Sequence, residues 1–109
     1  DGGFWLSDRY QVRFLDAAGS LTTVAGGPEP GDADGSGTAA RFGLLVGLAR
    51  GSDGELLAAD YKNRSLRRVS RQGAVSTVAR LADPPLRLAL EDGGSVLVTV
   101  PRAVLRVRP

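Results

Sequence analysis

The segment Asp53–Ala79, with the sequence DGELLAADYKNRSLRRVSRQGAVSTVA, determines the fold of this chain. It holds three short apolar runs, and the stretches between them are polar and include Gly73. Short apolar runs bounded by such turn signals are typical of antiparallel strands. Together with the preceding apolar run Leu44–Ala49, the segment predicts a meander of four strands. The predicted strands are Val46–Arg50, Glu55–Ala59, Ser65–Ser70 and Ala74–Ala79.

This meander belongs to an internal repeat. Asp1–Asp8 matches Asp53–Asp60, and Gly19–Ala25 matches Gly73–Ala79 without a gap. Four antiparallel strands in each repeat of roughly 40–50 residues are the signature of a β-propeller blade. The sequence therefore predicts an all-β fold of propeller blades. The first unit shows strands two to four of a blade, and the second unit shows all four.

A third and weaker copy follows toward the carboxyl end. Pro85–Ala89 matches Leu45–Ala49, and Asp92–Thr99 is aligned with Asp53–Asp60. This alignment puts Thr99 where the second unit has its strand-end aspartate. The third unit shows strands one to three, so the chain amounts to about two and a half blades.

Nearly the whole chain resembles a known family, and the resemblance is most specific in the middle unit. The stretches Gly37–Phe42, Gly47–Ala49, Asp53–Asp60 and Asn63–Val69 are similar to the NHL repeat, a family of β-propellers. The resemblance implies that residues 1–109 form part of an NHL-like propeller, an incomplete ring of two to three blades. No metal or substrate site of the family carries over by matching residues. The predicted parts are a partial blade at 1–27, a loop at 28–41, a full blade at 42–80 and a partial blade at 81–109.

The number of blades predicts the partners. A closed ring needs about four to eight blades. We therefore expect the remaining blades of a larger propeller to be the partner, with copies of the chain itself or an open arc as alternatives. An unknown protein or small ligand is the expected external partner. No apolar run approaches the ~18 residues of a membrane helix, so no membrane partner is expected.

The composition restricts the chemistry. The chain has 109 residues, no Cys, His or Met, and a net charge of +2. It therefore has no thiol or imidazole to serve as nucleophile, general base or zinc ligand. We expect no catalytic residue, no cofactor and no enzyme activity. The sequence predicts a non-catalytic binding or scaffold module, with a protein, peptide or carbohydrate ligand on a loop face or at the channel mouth.

Two alternative functions remain open. The pI of about 9.7 and the clustered arginines of the second unit suit an RNA-binding propeller with an Arg-rich face. The arginines are otherwise interleaved with acidic residues, so nucleic acid is not the expected partner. The resemblance also admits a fragment of a propeller lyase or hydrolase. Such enzymes typically use a channel metal held by His, which this chain lacks.

Seven residues are candidates for ligand binding, and each has a simpler structural interpretation. Asp8 and Asp60 are expected to accept hydrogen bonds from N–H groups of the following turn. Leu66 is expected to point inward, Arg67 outward, and Arg68 to lie at the blade edge. The two tyrosines are expected to pack on turns. The candidates are Asp8, Tyr10, Asp60, Tyr61, Arg64, Arg67 and Arg68.

One polar loop is a weak candidate for calcium. Asp32, Asp34, Ser36 and Gly37 occupy the first, third, fifth and sixth positions of the D-x-D-x-D-G pattern. The twelfth position is Gly43, so the usual bidentate glutamate is missing. The main expectation is that the chain holds no metal.

Overall fold

The computed structural model describes residues 2–51 and 53–108. Within these ranges the chain forms β-strands and one 3-10 turn at Gly37–Ala39, which confirms the predicted all-β class. None of the described segments is a helix long and apolar enough to span a membrane. The strands are β1 Phe4–Asp8, β2 Gln11–Leu15, β3 Leu21–Gly26, β4 Gly35–Ser36, β5 Leu45–Arg50, β6 Leu56–Asp60, β7 Ser65–Val69, β8 Ala74–Arg80, β9 Arg87–Leu90, β10 Val96–Val100 and β11 Ala103–Val107.

The strands form three antiparallel sheets. Sheet 1 has the order β1-β2-β3, sheet 2 the order β4-β8-β7-β6-β5, and sheet 3 the order β11-β10-β9. Apart from β4, each sheet is a meander in which sequence neighbours pair. The four strands predicted for the middle unit are present, with ends that differ by one residue at most.

The short strand β4 has no counterpart in the sequence-based prediction. Gly35 pairs with Val75 and Ser36 with Ala74, so part of the predicted loop joins the outer edge of sheet 2. The connection from sheet 1 to sheet 2, residues 27–44, thus runs from the outer edge of sheet 2 to its opposite edge at β5. We call residues 27–44 the crossing segment.

The pairing in sheet 3 corrects the alignment of the third unit. Leu97 pairs with Ala89, as Leu57 pairs with Ala49. The position equivalent to Asp60 is therefore Val100, and the expectation that it is Thr99 is wrong by one residue. The physical reason is that successive side chains of a pleated strand point to opposite faces of the sheet. Alternate side chains of β10 must face sheet 2, and Val96, Val98 and Val100 are the buried ones.

Sheet 2 lies between the other two, and its strands β6 and β7 are covered on both faces. Leu56 belongs to an apolar cluster shared with Val12 of sheet 1. Its neighbour Leu57 points the opposite way, into a cluster shared with Val96 of sheet 3. Because both faces of β7 are covered and Arg67 is wholly buried, the expectation that Arg67 points outward is wrong.

Each outer sheet has one uncovered face. On β1, Phe4 is 69% exposed and Leu6 is 40% exposed. We call this surface of sheet 1, which turns away from sheet 2, the leading face. On the far side of sheet 3, Val104 is 62% exposed.

Candidate functional site

Arg67 is the centre of a buried ionic cluster. Its side chain is wholly buried, and its Nη1 lies 3.2 Å from Oδ2 of Asp60, which is also wholly buried. Its Nη2 donates to Oδ1 of Asp34 at 2.9 Å and to the carbonyl of Ala33 at 2.8 Å. Nη1 also donates to the carbonyl of Arg41 at 3.0 Å. Arg67 therefore holds the crossing segment against sheet 2 and offers no surface to a ligand.

Asp60 fixes the end of the crossing segment. Its carboxylate accepts hydrogen bonds from the backbone N–H groups of Gly43 at 2.9 Å and Leu44 at 3.0 Å. It also accepts the N–H of Asn63, in the turn that follows, at 3.3 Å. The expectation of a turn acceptor is confirmed at Asp60. A carboxylate satisfied by several N–H groups and a guanidinium is suited to a structural role.

Two acidic residues fix the middle of the crossing segment. Asp34 accepts the hydroxyl of Thr77 at 2.9 Å in addition to its bond from Arg67. Partial burial raises the pKa of Asp34, but the hydrogen bonds from Thr77 and Arg67 outweigh it and lower the pKa below the ordinary aspartate value. Asp32 accepts a bond from Arg80 at 2.7 Å.

The carboxylates of the weak calcium-loop candidate are thus engaged by guanidinium groups. Asp32 and Asp34 face Arg80 and Arg67, and Ser36 lies in β4. Among the described residues no group of three or more acidic, His or Cys side chains is arranged to hold a metal. The two carboxylates serve to attach the crossing segment.

Asp8 differs from Asp60 in its surroundings. Its side chain is 54% exposed and lies 3.4 Å from Nη1 of Arg13. No backbone N–H donates to it within the described residues, so the expectation of a turn acceptor is wrong at this position. The turn after Asp8 is shorter, with two residues between β1 and β2 against four between β6 and β7. β1 is also an edge strand, with no segment beside it to supply N–H groups as Gly43 and Leu44 do for Asp60.

The remaining candidates near the strand ends lie at one end of the sheets. Tyr10 and Tyr61 occupy the turns that follow β1 and β6, and Tyr61 is 36% exposed. Arg64 donates to the carbonyl of Ala82 at 2.9 Å. A shallow depression of about 440 Å³ lies at this end, lined by Tyr10, Pro30, Gly31, Gly43, Lys62 and Asn63.

The arginines of the second unit do not form one basic surface. Arg64 precedes β7 and Arg71 follows it, so the strand separates them by roughly 3.3 Å per residue. Arg67, between them, is buried. Arg68 is part-exposed and lies 3.6 Å from Glu55. A stripe of cations for a phosphate backbone is absent from this strand.

The larger cavity lies at the opposite end, between sheets 2 and 3. It has a volume of about 570 Å³, within the range of small-molecule sites. Its walls are the turns that lead into β6 and β10. We call it the turn groove. It is lined by Arg50, Gly51, Asp53, Glu55, Leu56, Leu57, Arg68, Leu90, Glu91, Asp92, Gly93 and Gly94.

The turn groove combines an apolar floor with charged walls. Leu57 and Leu90 contribute apolar surface. Glu91 on the rim is paired with Arg106 at 2.8 Å, which lowers the pKa of Glu91. Arg50 on one wall and Asp92 on the other have no ion pair within the described residues.

Sequence reasoning missed the turn groove because it searched the ends of strands for repeated aspartates. The available signal was the pair of acidic turns Asp53-Gly54-Glu55 and Glu91-Asp92-Gly93. They precede equivalent strands of neighbouring repeats, and equivalent turns of adjacent blades lie side by side. Only Arg68, of the seven candidates, lines this groove.

No protein-family model and no curated protein matches the sequence, whereas solved structures share the fold. An auxiliary nutrient binding protein from Bacteroides ovatus gives a TM-score of 0.70 at 18% identity, over 83% of this chain and 30% of that chain. Another, from Bacteroides thetaiotaomicron, gives 0.71 at 16% identity, over 89% and 32%. A streptogramin B lyase gives 0.61 at 11% identity, over 95% and 36%.

These neighbours are β-propeller-like proteins, and the likeness confirms that the three sheets are propeller blades. The chain spans about a third of the length of each neighbour. At these identities the likeness concerns the fold.

Proposed function

We propose that the chain is a non-catalytic binding module of an NHL-like β-propeller and that its ligand occupies the turn groove. The observation that carries this proposal is the groove itself, a cavity of about 570 Å³ between two blades. Clefts of this size with an apolar floor and a few polar groups are the usual form of a ligand site. The description of two structural neighbours as nutrient binding proteins supports binding as the role.

The charges of the groove favour a small zwitterionic ligand. Arg50 offers a cation on one wall and Asp92 an anion on the other, and neither has an ion pair among the described residues. The groove also holds the carboxylate of Asp53, which accepts the N–H of Glu55 at 3.0 Å. Leu57 and Leu90 offer apolar contact between the two walls. A free amino acid or a short peptide carries the matching carboxylate, ammonium and apolar side chain.

Ligand-observed NMR with the intact chain tests the proposal. The probes are millimolar mixtures of free amino acids and of dipeptides, with neutral oligosaccharides as a second set. We expect saturation transfer to an apolar amino acid or dipeptide. We expect its loss in Arg50→Ala and in Asp92→Ala.

Arg102→Ala is the matched control, because Arg102 is an exposed arginine in a turn outside the groove. The proposal is wrong if neither probe set binds. It is also wrong if binding survives both groove changes or is lost equally in Arg102→Ala. If only oligosaccharides bind, and this binding is lost in the groove variants, the turn groove is the binding site but its ligand is a carbohydrate.

A further inference from the structure

Sheets 1 and 2 carry the same ionic pair at the same place. In sheet 2, Arg67 is paired across the strands with Ala58, two residues before Asp60. In sheet 1, Arg13 is paired with Leu6, two residues before Asp8. The Nε atoms of both arginines are buried without a hydrogen-bond partner in the described part of the chain. The pair Asp8–Arg13 is thus the equivalent of Asp60–Arg67.

The two pairs differ in what lies over them. The crossing segment covers Arg67 with two carbonyls, the carboxylate of Asp34 and the ring of Phe42, whose centroid lies 5.0 Å from the guanidinium carbon. Among the described residues, the guanidinium of Arg13 has one polar contact, the 3.4 Å ion pair with Asp8. The leading face therefore presents the same donors and acceptors with nothing over them among the described residues.

The third sheet shows what a blade carries when no long segment crosses it. Its connection from sheet 2 is short, residues 81–86, against residues 27–44 for sheet 2. The equivalent positions in sheet 3 are Val100 and Leu105, which are apolar. Within this chain the ionic pair accompanies a long crossing segment and the apolar pair accompanies a short one.

The apolar residues around Asp8–Arg13 are also those of a covered face. Phe4 and Leu6, 69% and 40% exposed, occupy the positions of Leu56 and Ala58, which are 2% and 0% exposed. Exposed apolar side chains gathered on one sheet face mark an interaction surface.

From these observations we propose that the leading face is the seat of a further propeller blade whose exit segment crosses Asp8–Arg13. The partner is defined by its chemistry. It supplies an apolar sheet face to Phe4 and Leu6. Its exit segment supplies a carboxylate and backbone carbonyls to Arg13, and backbone N–H groups to Asp8. This surface lies on a different sheet from the turn groove, and the inference does not depend on the groove.

A second copy of this chain is a poorer match. The free face of its sheet 3 carries Arg106, opposite Leu97, and Arg87, opposite Thr99. Arg106 is already engaged by the carboxylate of Glu91, so, docked on the leading face, this surface would bring the cation of Arg87 toward Arg13 and no free carboxylate from that pair. Like charges set face to face oppose association.

An extended chain tests the inference. Residues 1–52 are repeated ahead of the full chain, because Asp1 matches Asp53 and the junction repeats the natural one. The added unit brings a sheet, a crossing segment and an inner strand for the edge of β1. We expect amide exchange in β1 to slow about tenfold or more compared with the unextended chain.

Two substitutions make the test specific to the ionic pair. Arg13→Leu, and separately Asp34→Ala in the added unit alone, are each expected to reverse most of this protection. Arg106→Leu, which breaks an exposed pair on sheet 3, is expected to leave it unchanged. Unchanged exchange in the extended chain overturns the inference. Protection of β1 that persists in both substituted chains also overturns it. Self-association of the unextended chain that is abolished by Val104→Asp would overturn it as well.

Discussion

Arg67 Nη1 lies 3.2 Å from Asp60 Oδ2, and solvent reaches neither side chain. The same two positions hold Leu105 and Val100 in sheet 3. The same two positions of a blade are therefore filled by an ionic pair in sheet 2 and by an apolar pair in sheet 3. The ionic pair stands where eighteen residues, 27–44, must be held across the sheet.

Breaking the buried pair is expected to be costly. Arg67→Leu leaves Asp60 as a buried charge without its guanidinium, and removal of one partner of such a pair costs about 3–5 kcal/mol. The free energy of unfolding from urea titration, followed by the fluorescence of Trp5, measures this loss. Trp5 packs against the cluster between sheets 1 and 2, so its emission reports on that interface.

The double change Asp60→Val with Arg67→Leu gives sheet 2 the two apolar residues that sheet 3 has at these positions. We expect it to cost less than the sum of the single changes, with a coupling of about 1–3 kcal/mol. Arg106→Leu is the control, since its pair with Glu91 is exposed to solvent and contributes little to stability. Strict additivity of Asp60→Val and Arg67→Leu would contradict the pair as the source of the stability.

The attachment of the crossing segment is expected to weaken in acid. The pKa of Asp34 is lowered in the folded chain, so its contribution to stability is full above the ordinary aspartate pKa. That contribution is lost as pH falls through the folded-state pKa. Unfolding titrations from neutral pH down to pH values below the ordinary aspartate range measure it. Asp34→Asn is expected to remove this part of the acid dependence, and an unchanged profile would contradict the assignment.

Gly73 is expected to tolerate alanine worse than Gly93. Both have a positive φ, +93° and +91°, so both substitutions introduce backbone strain. A Cβ on Gly73 would lie 2.5 Å from the carbonyl oxygen of Val24 in sheet 1, whereas one on Gly93 meets nothing within 4 Å. We expect roughly 1 kcal/mol for Gly93→Ala and clearly more for Gly73→Ala. Equal losses in thermal unfolding would show that sheets 1 and 2 do not approach at this turn.

Calcium is expected to have no effect on stability. Asp32 and Asp34 are engaged by Arg80 and Arg67, so an ion would have to displace two guanidinium groups. The melting temperature in millimolar CaCl₂ should equal that in EDTA. A melting temperature that rises with calcium, and no longer does so in Asp32→Asn, would show that the loop binds the metal.

The sequence specifies the strands more fully than it specifies their surroundings. Alternating apolar runs and turn signals predict ten strands, because local pattern and pairing agree along each meander. The strand β4 is missed because two residues, Gly35 and Ser36, carry no periodic signal and pair through a distant partner. The equivalence of Val100 to Asp60 is missed because the third unit is aligned on its Asp-Gly pair. The alternation of inward and outward side chains in β10 gives the correct alignment, one residue later.

The candidate site depends on contacts that no local pattern encodes. Arg67 has the appearance of a surface arginine in a strand, and its burial depends on the crossing segment, whose contacts come from residues more than 25 positions earlier in the chain. The turn groove arises from two turns in different repeats. Its residues are far apart in sequence and become neighbours only when the blades stack.

The pairing of β4 with β8 also bears on the order of folding. Gly35 meets Val75, a partner roughly 40 residues further along the chain. The segment that links the first two blades therefore cannot complete its contacts until the last strand of the second blade has formed. Contacts of such long sequence separation slow folding and join the two blades into one cooperative step.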